Sequence, residues 1–112
     1  MSTCGLVCVR TGSREIRTAY NHFDSYPEYL GEVLNEHYDS YEKAVQLIEA
    51  GKYGFSTIGE TIESCECYSE RDPSITPTFT SIEKAKKYAS ENWLEYVYVF
   101  NPSNNSWKCF KI

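Results

Sequence analysis

The sequence predicts an α+β fold, in which an antiparallel sheet of about five strands carries three helices on one face. Short β-rich runs lie near both ends of the chain, two stretches of the middle have helical periodicity, and Gly, Pro or Asn residues separate the segments. The element order is therefore ββ-αα-β-α-ββ. At 112 residues, without an internal repeat or a linker, the chain is predicted to form a single α+β domain over residues 1–112.

The first elements are a hairpin and a helix. Residues 4–10 and 15–23 are β-rich and flank a Thr-Gly-Ser turn, which is typical of paired antiparallel strands. Ser25 and Glu28 then have the spacing of a capping box, with Pro27 in the first turn. The apolar positions that follow at helical spacing are Leu30, Val33, Leu34 and Tyr38. This pattern predicts a helix over about residues 26–38.

A second helix and a third strand follow. Asp39 or Ser40 can cap a helix whose apolar positions repeat with helical spacing and which ends at Gly51. Residues 52–61 contain two glycines and are predicted to be irregular, whereas residues 62–69 are predicted to form a strand.

The last part of the chain is predicted to contain a loop, a helix and a closing hairpin. Residues 70–79 include two prolines and are typical of a loop. Thr80 begins a second capping-box spacing, ahead of the third helix. Strands at residues 96–100 and 106–112 flank an Asn-Pro-containing turn, so the domain ends as it began, with paired strands.

Acidic residues are concentrated in one part of the sequence. The net charge is -5, which disfavours direct binding to nucleic acid, and residues 24–49 contain seven acidic residues but the single base Lys43. Three glutamates recur at intervals of four along the first predicted helix, where like charges are mutually destabilising. A basic partner would offset that repulsion, although a solvated helix face is the commoner explanation. The candidate partner-binding residues are Glu28, Tyr29, Glu32, Glu36 and Asp39.

A second candidate site lies where the second strand meets the first helix. His22 and Asp24 can form an acid/base pair, or hold a metal together with His37, but helix capping by Asp24 or Ser25 is the favoured explanation. A charged pair at the head of the predicted loop can contact a ligand or stabilise a turn. The candidate ligand-binding residues are Tyr20, His22, Asp24, Tyr26, His37, Arg71 and Asp72.

The cysteines do not form a recognisable metal or disulfide pattern. Five cysteines is an odd number, and the start of the chain lacks the features of an export signal, so reduced thiols in the cytoplasm are expected. Cys4 and Cys8, four residues apart on a strand, are separated by about 13 Å, too far for two ligands of one zinc ion. No phosphate-binding loop, nucleophile elbow or catalytic motif occurs. No catalytic residue, cofactor, metal or membrane span is therefore predicted, and enzymatic activity is not favoured.

The strand-to-helix segment resembles the Y-x-H-W-D-G-Y-P-x-x-x-G signature of small proteins from bacteriophage and prophage genomes, a family that no enzymatic activity defines. The positions that match this signature are Tyr20, His22, Asp24, Tyr26, Pro27 and Gly31. The similarity covers most of the chain, and its other positions are Leu34, Tyr38, Leu47, Ile48, Gly51, Tyr68, Arg71, Asp72, residues 95–98 and Trp107. Phe23 replaces the usual tryptophan, Ser25 replaces the usual glycine, and the opening residues also depart from the family pattern.

Together with the acidic composition, the resemblance implies a phage-encoded accessory protein of the host cytoplasm. The leading hypothesis is that it binds and inhibits a host protein with a basic nucleic-acid-binding surface, such as a defence nuclease, in the manner of an anti-CRISPR protein. The alternative is a small-molecule or nucleotide-binding module with a pocket around His22 and Asp24. A homo-oligomeric structural protein is a third possibility, which an exposed edge strand would indicate.

Overall fold

The computed structural model describes residues 2–71 and 77–112. Within these residues, seven strands form one mixed sheet in the order β4-β3-β2-β1-β6-β7, with β5 paired to β2 beside this path. The strands are β1 (Gly5–Gly12), β2 (Glu15–Asn21), β3 (Phe55–Thr57), β4 (Glu66–Cys67), β5 (Thr78–Phe79), β6 (Tyr96–Asn101) and β7 (Ser106–Lys111). β1 is parallel to β6 and β2 is parallel to β3, whereas the other pairs are antiparallel.

The predicted first helix is present, but it begins in a different form. A π-helix over Pro27–Gly31 leads directly into α1 (Glu32–His37). Ser25 does not cap it, because the Ser25 hydroxyl is buried in hydrogen bonds with Asn21. The predicted capping box at this position is therefore wrong, while the position of the helix is confirmed.

Two further helices have serine caps. α2 (Tyr41–Ala50) begins after Ser40, whose hydroxyl accepts a hydrogen bond from the backbone N–H of Lys43. Of the two predicted caps, Asp39 and Ser40, the structure uses Ser40. α3 (Ile82–Glu91) begins after Ser81, one residue later than predicted, because the Ser81 hydroxyl accepts from the backbone N–H of Lys84.

The helices cover both faces of the sheet, so the prediction that all three lie on one face is wrong. α1 and α2 pack with Val7, Val9 and Tyr98 in the larger core cluster. α3 packs on the opposite face, against alternate residues of the same strands. The physical reason lies in β1, where the consecutive residues 6–9 are all buried. A strand that is apolar on both sides needs cover on both sides.

The sheet also differs from the prediction in direction and strand number. It is mixed rather than antiparallel because β2 returns through α1 and α2 to a parallel neighbour, β3. The strand predicted over residues 62–69 is reduced to β4, preceded by a 3₁₀ turn at Ile62–Ser64. β3 lies in a stretch predicted to be irregular, and β5 lies at the end of the predicted loop. Strands of two or three residues are too short to show alternation in a sequence.

The turn between β2 and the π-helix is held firmly in place. The Tyr98 hydroxyl donates to the Ser25 carbonyl at 2.6 Å, and the Ser25 N–H donates to the Thr3 carbonyl at 3.0 Å. A Cβ atom on Gly5 would lie only 2.8 Å from the Ser25 Cβ, so glycine is needed for this close approach. Asp24 completes the turn with a φ of 57°. This anchor fixes both His22 and the start of the acidic helices.

Candidate functional site

A groove of about 320 Å³ lies between α1 and the edge strand β7. The residues that line it are Pro27, Gly31, Glu32, Asn35, Glu36, Tyr98, Trp107 and Cys109. The backbone N–H of Trp107 donates to Asn35 Oδ1 at 2.8 Å, and its indole N–H donates to the Tyr38 carbonyl, also at 2.8 Å. These bonds hold β7 against α1 and use an edge N–H that would otherwise be open to another strand.

Three carboxylates give the groove its charge. Glu32 and Glu36 line it. Burial raises the thiol pKa of Cys109, a hydrogen bond with Tyr98 lowers it in part, and the charge of Glu28 raises it again. All three glutamates are exposed. Among the described residues, no ion pair involves Glu28 or Glu32, and Glu36 approaches only His37, at 3.7 Å. The groove therefore presents negative charge beside an aromatic and apolar wall.

The charge is unevenly distributed along the sequence. Residues 24–66, which contain α1 and α2, have ten acidic residues against Lys43 and Lys52, whereas the rest of the sequence has nine basic residues against six acidic ones. On the α3 side, the Lys86 ammonium lies 3.7 Å from the centre of the Phe110 ring. A cavity of about 410 Å³ on this side is lined by Arg10, Ile82, Val99, Phe100, Asn101, Pro102, Lys108 and Phe110.

The five predicted partner-binding residues are not equivalent. Glu32 and Glu36 line the groove, and the charge of Glu28 acts on Cys109 in its wall. Tyr29 is half-buried and donates its hydroxyl to the Ile58 carbonyl at 2.8 Å, so it has a structural role. Asp39 is exposed and forms an ion pair with Lys43 at 3.3 Å.

The predicted ligand-binding residues have separate surroundings. Tyr20 and His22 contact each other, with 2.6 Å between the Tyr20 hydroxyl and His22 Nδ1. Asp24 and Tyr26 are exposed near Tyr29, and the Asp24 charge adds to the effect of burial, which raises the pKa of Tyr29.

The other predicted ligand-binding residues lie elsewhere. His37 Nε2 lies 3.0 Å from a Glu60 carboxylate oxygen in a cavity of about 330 Å³. Arg71 is exposed, and Asp72 lies outside the described residues. The structure thus brings Tyr20 and His22 together. Among the described residues, no hydrogen bond joins His22 and Asp24, the predicted acid/base pair.

A cysteine that the sequence left unplaced lies beside His22. The Tyr20 hydroxyl donates to the Cys4 sulfur at 3.3 Å, and the Cys4 thiol donates to the His22 carbonyl at 3.3 Å. The same sulfur lies 3.7 Å from His22 Nδ1. Cys4 and His22 are half-buried, and Phe23 packs edge-on against the imidazole with 4.4 Å between ring centres. The result is a cluster of thiol, phenol and imidazole, which we call the Cys4 cluster (Cys4, Tyr20, His22).

The Cys4 cluster has the components of an activated thiol. Burial, and then the hydrogen bond to Cys4, raise the pKa of Tyr20, so the phenol stays protonated and can donate a hydrogen bond. A neutral imidazole is a suitable proton acceptor near neutral pH. A nucleophile and a base within hydrogen-bonding reach, with a third group that orients the base, are typical of nucleophilic chemistry.

Comparisons with protein-family models, with curated proteins and with solved structures gave no match. The phage-family resemblance therefore stays a prediction. In residues 2–71 and 77–112, no helix is long and apolar enough to cross a membrane. The same part of the chain contains no group of three or more His, Cys, Asp or Glu side chains placed to hold a metal ion.

Proposed function

We propose that the protein binds a basic surface of a host protein through the groove between α1 and β7. The observation that carries this proposal is the groove itself, which combines the exposed Glu32 and Glu36 with an apolar wall of half-buried Pro27 and Cys109 over the buried Trp107. An arginine or lysine inserted there can pair its charge with the carboxylates while its methylene stem packs on the wall. The groove thus suits a partner with projecting basic side chains.

The mode of action that follows is competition with nucleic acid. A protein surface that binds phosphates is rich in Arg and Lys, and an acidic helix can occupy it in place of the phosphate backbone. The ten acidic residues in residues 24–66 give the whole α1/α2 side the sign that such a surface attracts. Occupation of that surface would inhibit the partner without any catalytic step.

The origin of the protein and the identity of its partner can be proposed more specifically. The resemblance to phage and prophage proteins implies an accessory protein that acts in the host cytoplasm. A defence nuclease fits this setting, because it has a basic nucleic-acid channel and because its inhibition benefits a phage. We therefore propose an anti-CRISPR-like inhibitor as the specific function.

The small-molecule alternative has less support. It required the seven predicted ligand-binding residues to converge, and His37 instead pairs with Glu60 in another cavity. Asp24 lies exposed at the turn, and among the described residues no hydrogen bond joins it to the His22 ring.

The decisive experiment compares two charge reversals of equal size. The test variant is Glu28→Lys, Glu32→Lys and Glu36→Lys together, and the control is Glu83→Lys, Glu91→Lys and Glu95→Lys, exposed positions in or after α3. Tagged wild type and both variants are used to capture proteins from bacterial lysate, with quantification by mass spectrometry. Circular dichroism and thermal unfolding establish that both variants are folded.

We expect a basic nucleic-acid-binding protein to co-purify with the wild type and the control, but not with the groove variant. The purified partner should then release a labelled oligonucleotide when the wild type is added. Equal capture by the wild type and the groove variant would contradict the proposal. Equal loss in both variants would show that only net charge matters, which also contradicts a role for the groove.

A further inference from the structure

The Cys4 cluster is independent of the acidic groove and has no part in the proposed partner binding. Cys4 precedes β1, and its carbonyl accepts a hydrogen bond from the Glu95 N–H at 2.9 Å, so the backbone at the thiol is fixed. Tyr20 projects from β2 on the α3 side of the sheet, and His22 follows directly after that strand. The thiol is only half-buried, so a small reagent can reach it.

We propose that Cys4 is a covalent thiol site that exchanges with small disulfides, with His22 as the proton acceptor and Tyr20 as the relay between them. The three side chains form an unbroken series of contacts, which supports this proposal. The Cys4 sulfur lies 3.3 Å from the Tyr20 oxygen, and that oxygen lies 2.6 Å from His22 Nδ1. The short second distance places the Tyr20 proton on the path to the imidazole, which then carries its own proton on Nε2.

The exchange step balances in atoms and electrons. In the resting arrangement the Tyr20 hydroxyl donates to the Cys4 sulfur and the thiol donates to the His22 carbonyl. For the exchange, the Tyr20 hydroxyl turns to donate to His22 Nδ1 and the thiol turns to donate to the Tyr20 oxygen. The Cys4 S–H proton then passes to the Tyr20 oxygen while the Tyr20 proton passes to His22 Nδ1, which leaves a thiolate and an imidazolium. The thiolate attacks one sulfur of the disulfide R–S–S–R, forms the Cys4–S–S–R bond and expels R–S⁻. The leaving thiolate then takes the proton back from the imidazolium as R–SH. Cys4 is oxidised to the mixed disulfide, and half of the small disulfide is reduced.

The other four cysteines provide an internal comparison. Cys8 is fully buried, and burial raises its thiol pKa, as it does for Cys67 and Cys109. Cys65 lies in hydrogen bonds with Tyr38, Gly59 and Thr61. Among the described residues, none of the four has an imidazole within hydrogen-bonding distance. Cys4 is therefore expected to be the thiol that reacts first.

The test measures the reaction of each cysteine with glutathione disulfide and, separately, with dithiobis(nitrobenzoate). The folded protein is sampled over time at pH 7, quenched, digested and analysed by mass spectrometry, which gives a rate constant for each cysteine. The test variant is His22→Gln, which keeps a polar side chain but removes the base. The matched control is His37→Gln, which removes the protein's other histidine.

We expect Cys4 to react about tenfold or more faster than Cys65 and Cys67 in the wild type, and His22→Gln to slow Cys4 by a similar factor. His37→Gln should leave the Cys4 rate unchanged. Tyr20→Phe should slow Cys4 less than His22→Gln does, because the imidazole remains 3.7 Å from the sulfur. At strongly alkaline pH the rates of wild type and His22→Gln should converge, since hydroxide then replaces the base.

The convergence at alkaline pH distinguishes a proton acceptor from a residue that only supports the fold. A purely structural defect would change the rate by the same factor at every pH. The proposal is overturned if Cys65 or Cys67 reacts as fast as Cys4 in the wild type. It is overturned equally if His22→Gln and His37→Gln have the same effect on Cys4.

Discussion

The two faces of the sheet differ in the size of their buried side chains and in their charge. Among residues 2–71 and 77–112, the α1/α2 face has fifteen buried residues in one cluster, which include Tyr38, Phe100 and Trp107, and its outer surface is acidic. The α3 face has seven, and α3 itself contributes only Ala85 and Ala89 to them. The first face therefore contains most of the apolar burial that stabilises the fold, while the second leaves the Cys4 cluster half-open to solvent.

The difference indicates a division of roles. A helix that contacts the sheet through alanines lies close to it and buries little apolar surface, so substitutions there have smaller effects on stability. A face with large, interlocked side chains tolerates change poorly in its core but can hold an unfavourable charge pattern on its surface. The predictions below test this contrast.

Truncation of a core leucine should have the largest effect, and the effect should depend on the face. Leu47 in α2 is fully buried in the larger cluster, whereas Leu94 after α3 is at the margin of the smaller one and 6% exposed. Leu47→Ala should reduce the free energy of unfolding by about 3–5 kcal/mol, and Leu94→Ala by about 2 kcal/mol. Urea denaturation of both variants measures the difference, and equal losses would remove the proposed contrast between the faces.

Alkaline pH should destabilise the protein, because burial raises the pKa of groups on both faces of the sheet, Cys8 and Tyr20 on the α3 face and Tyr98 on the α1/α2 face. Burial raises the pKa of Tyr98 above its ordinary value of 10.0. Below that pH the Tyr98 hydroxyl is protonated in both the folded and the unfolded states, so Tyr98 makes its full contribution to the free energy of unfolding. Above it the unfolded chain loses the proton first, and the free energy of unfolding falls by about 1.4 kcal/mol per pH unit for each such group.

Tyr98→Phe tests this pH dependence. The variant should be less stable at pH 7 by about 1–3 kcal/mol, because the buried Ser25 carbonyl loses its donor. Its stability should nevertheless fall less steeply than that of the wild type above pH 10. Tyr88→Phe on α3 is the matched control, since Tyr88 is only half-buried and its pKa is raised by burial alone. An identical slope in wild type and Tyr98→Phe would show that Tyr98 does not contribute to the alkaline transition.

The long elements could be predicted from the sequence, and the short ones could not. The hairpin, α2, α3 and the last two strands each have several residues of clear periodicity, and all are present. β3, β4 and β5 have only two or three residues each, and long-range pairing rather than local pattern determines them. The consecutive buried residues of β1 did contain a signal for helices on both faces, because they lack the alternation of a half-exposed strand.

The sequence could not predict the Cys4 cluster, because the cluster forms through a single irregularity in the pairing of β1 with β2. A β-bulge between Arg10 and Gly12 shifts the hairpin register by one residue, so that Gly5 pairs with Asn21 and Leu6 with Tyr20. If this register is extended by one residue beyond the Gly5–Asn21 pair, Cys4 lies opposite His22. Without the bulge, Cys4 would lie opposite Phe23 and its side chain would face the other side of the sheet. The residue types were visible, but their proximity was not.

The smallest expected change in stability comes from removing one charge from the acidic stripe, which is Glu28, Glu32 and Glu36. Whether that substitution stabilises or destabilises the protein matters more than the size of the change. Glu32 and Glu36 are one turn apart in α1, and Glu32 is not at a helix start because the π-helix over Pro27–Gly31 continues into α1. The repulsion between the two carboxylates therefore dominates, and Glu32→Gln should raise the free energy of unfolding by a few tenths of a kcal/mol in low salt. Glu83 instead lies in the first turn of α3 and four residues before Lys87, where a negative charge stabilises the helix. Glu83→Gln should therefore lower stability by about 0.3–1 kcal/mol.

The opposite signs of these two substitutions bear directly on the proposed function. Both effects should vanish in about 1 M salt, where charges more than about 3 Å apart are screened, and urea denaturation at two salt concentrations measures this. If Glu32→Gln is stabilising, the stripe does not contribute to the fold, and its charge is better explained by a basic partner. If Glu32→Gln destabilises the protein as Glu83→Gln does, the stripe has a structural role, and the groove loses that argument for partner binding.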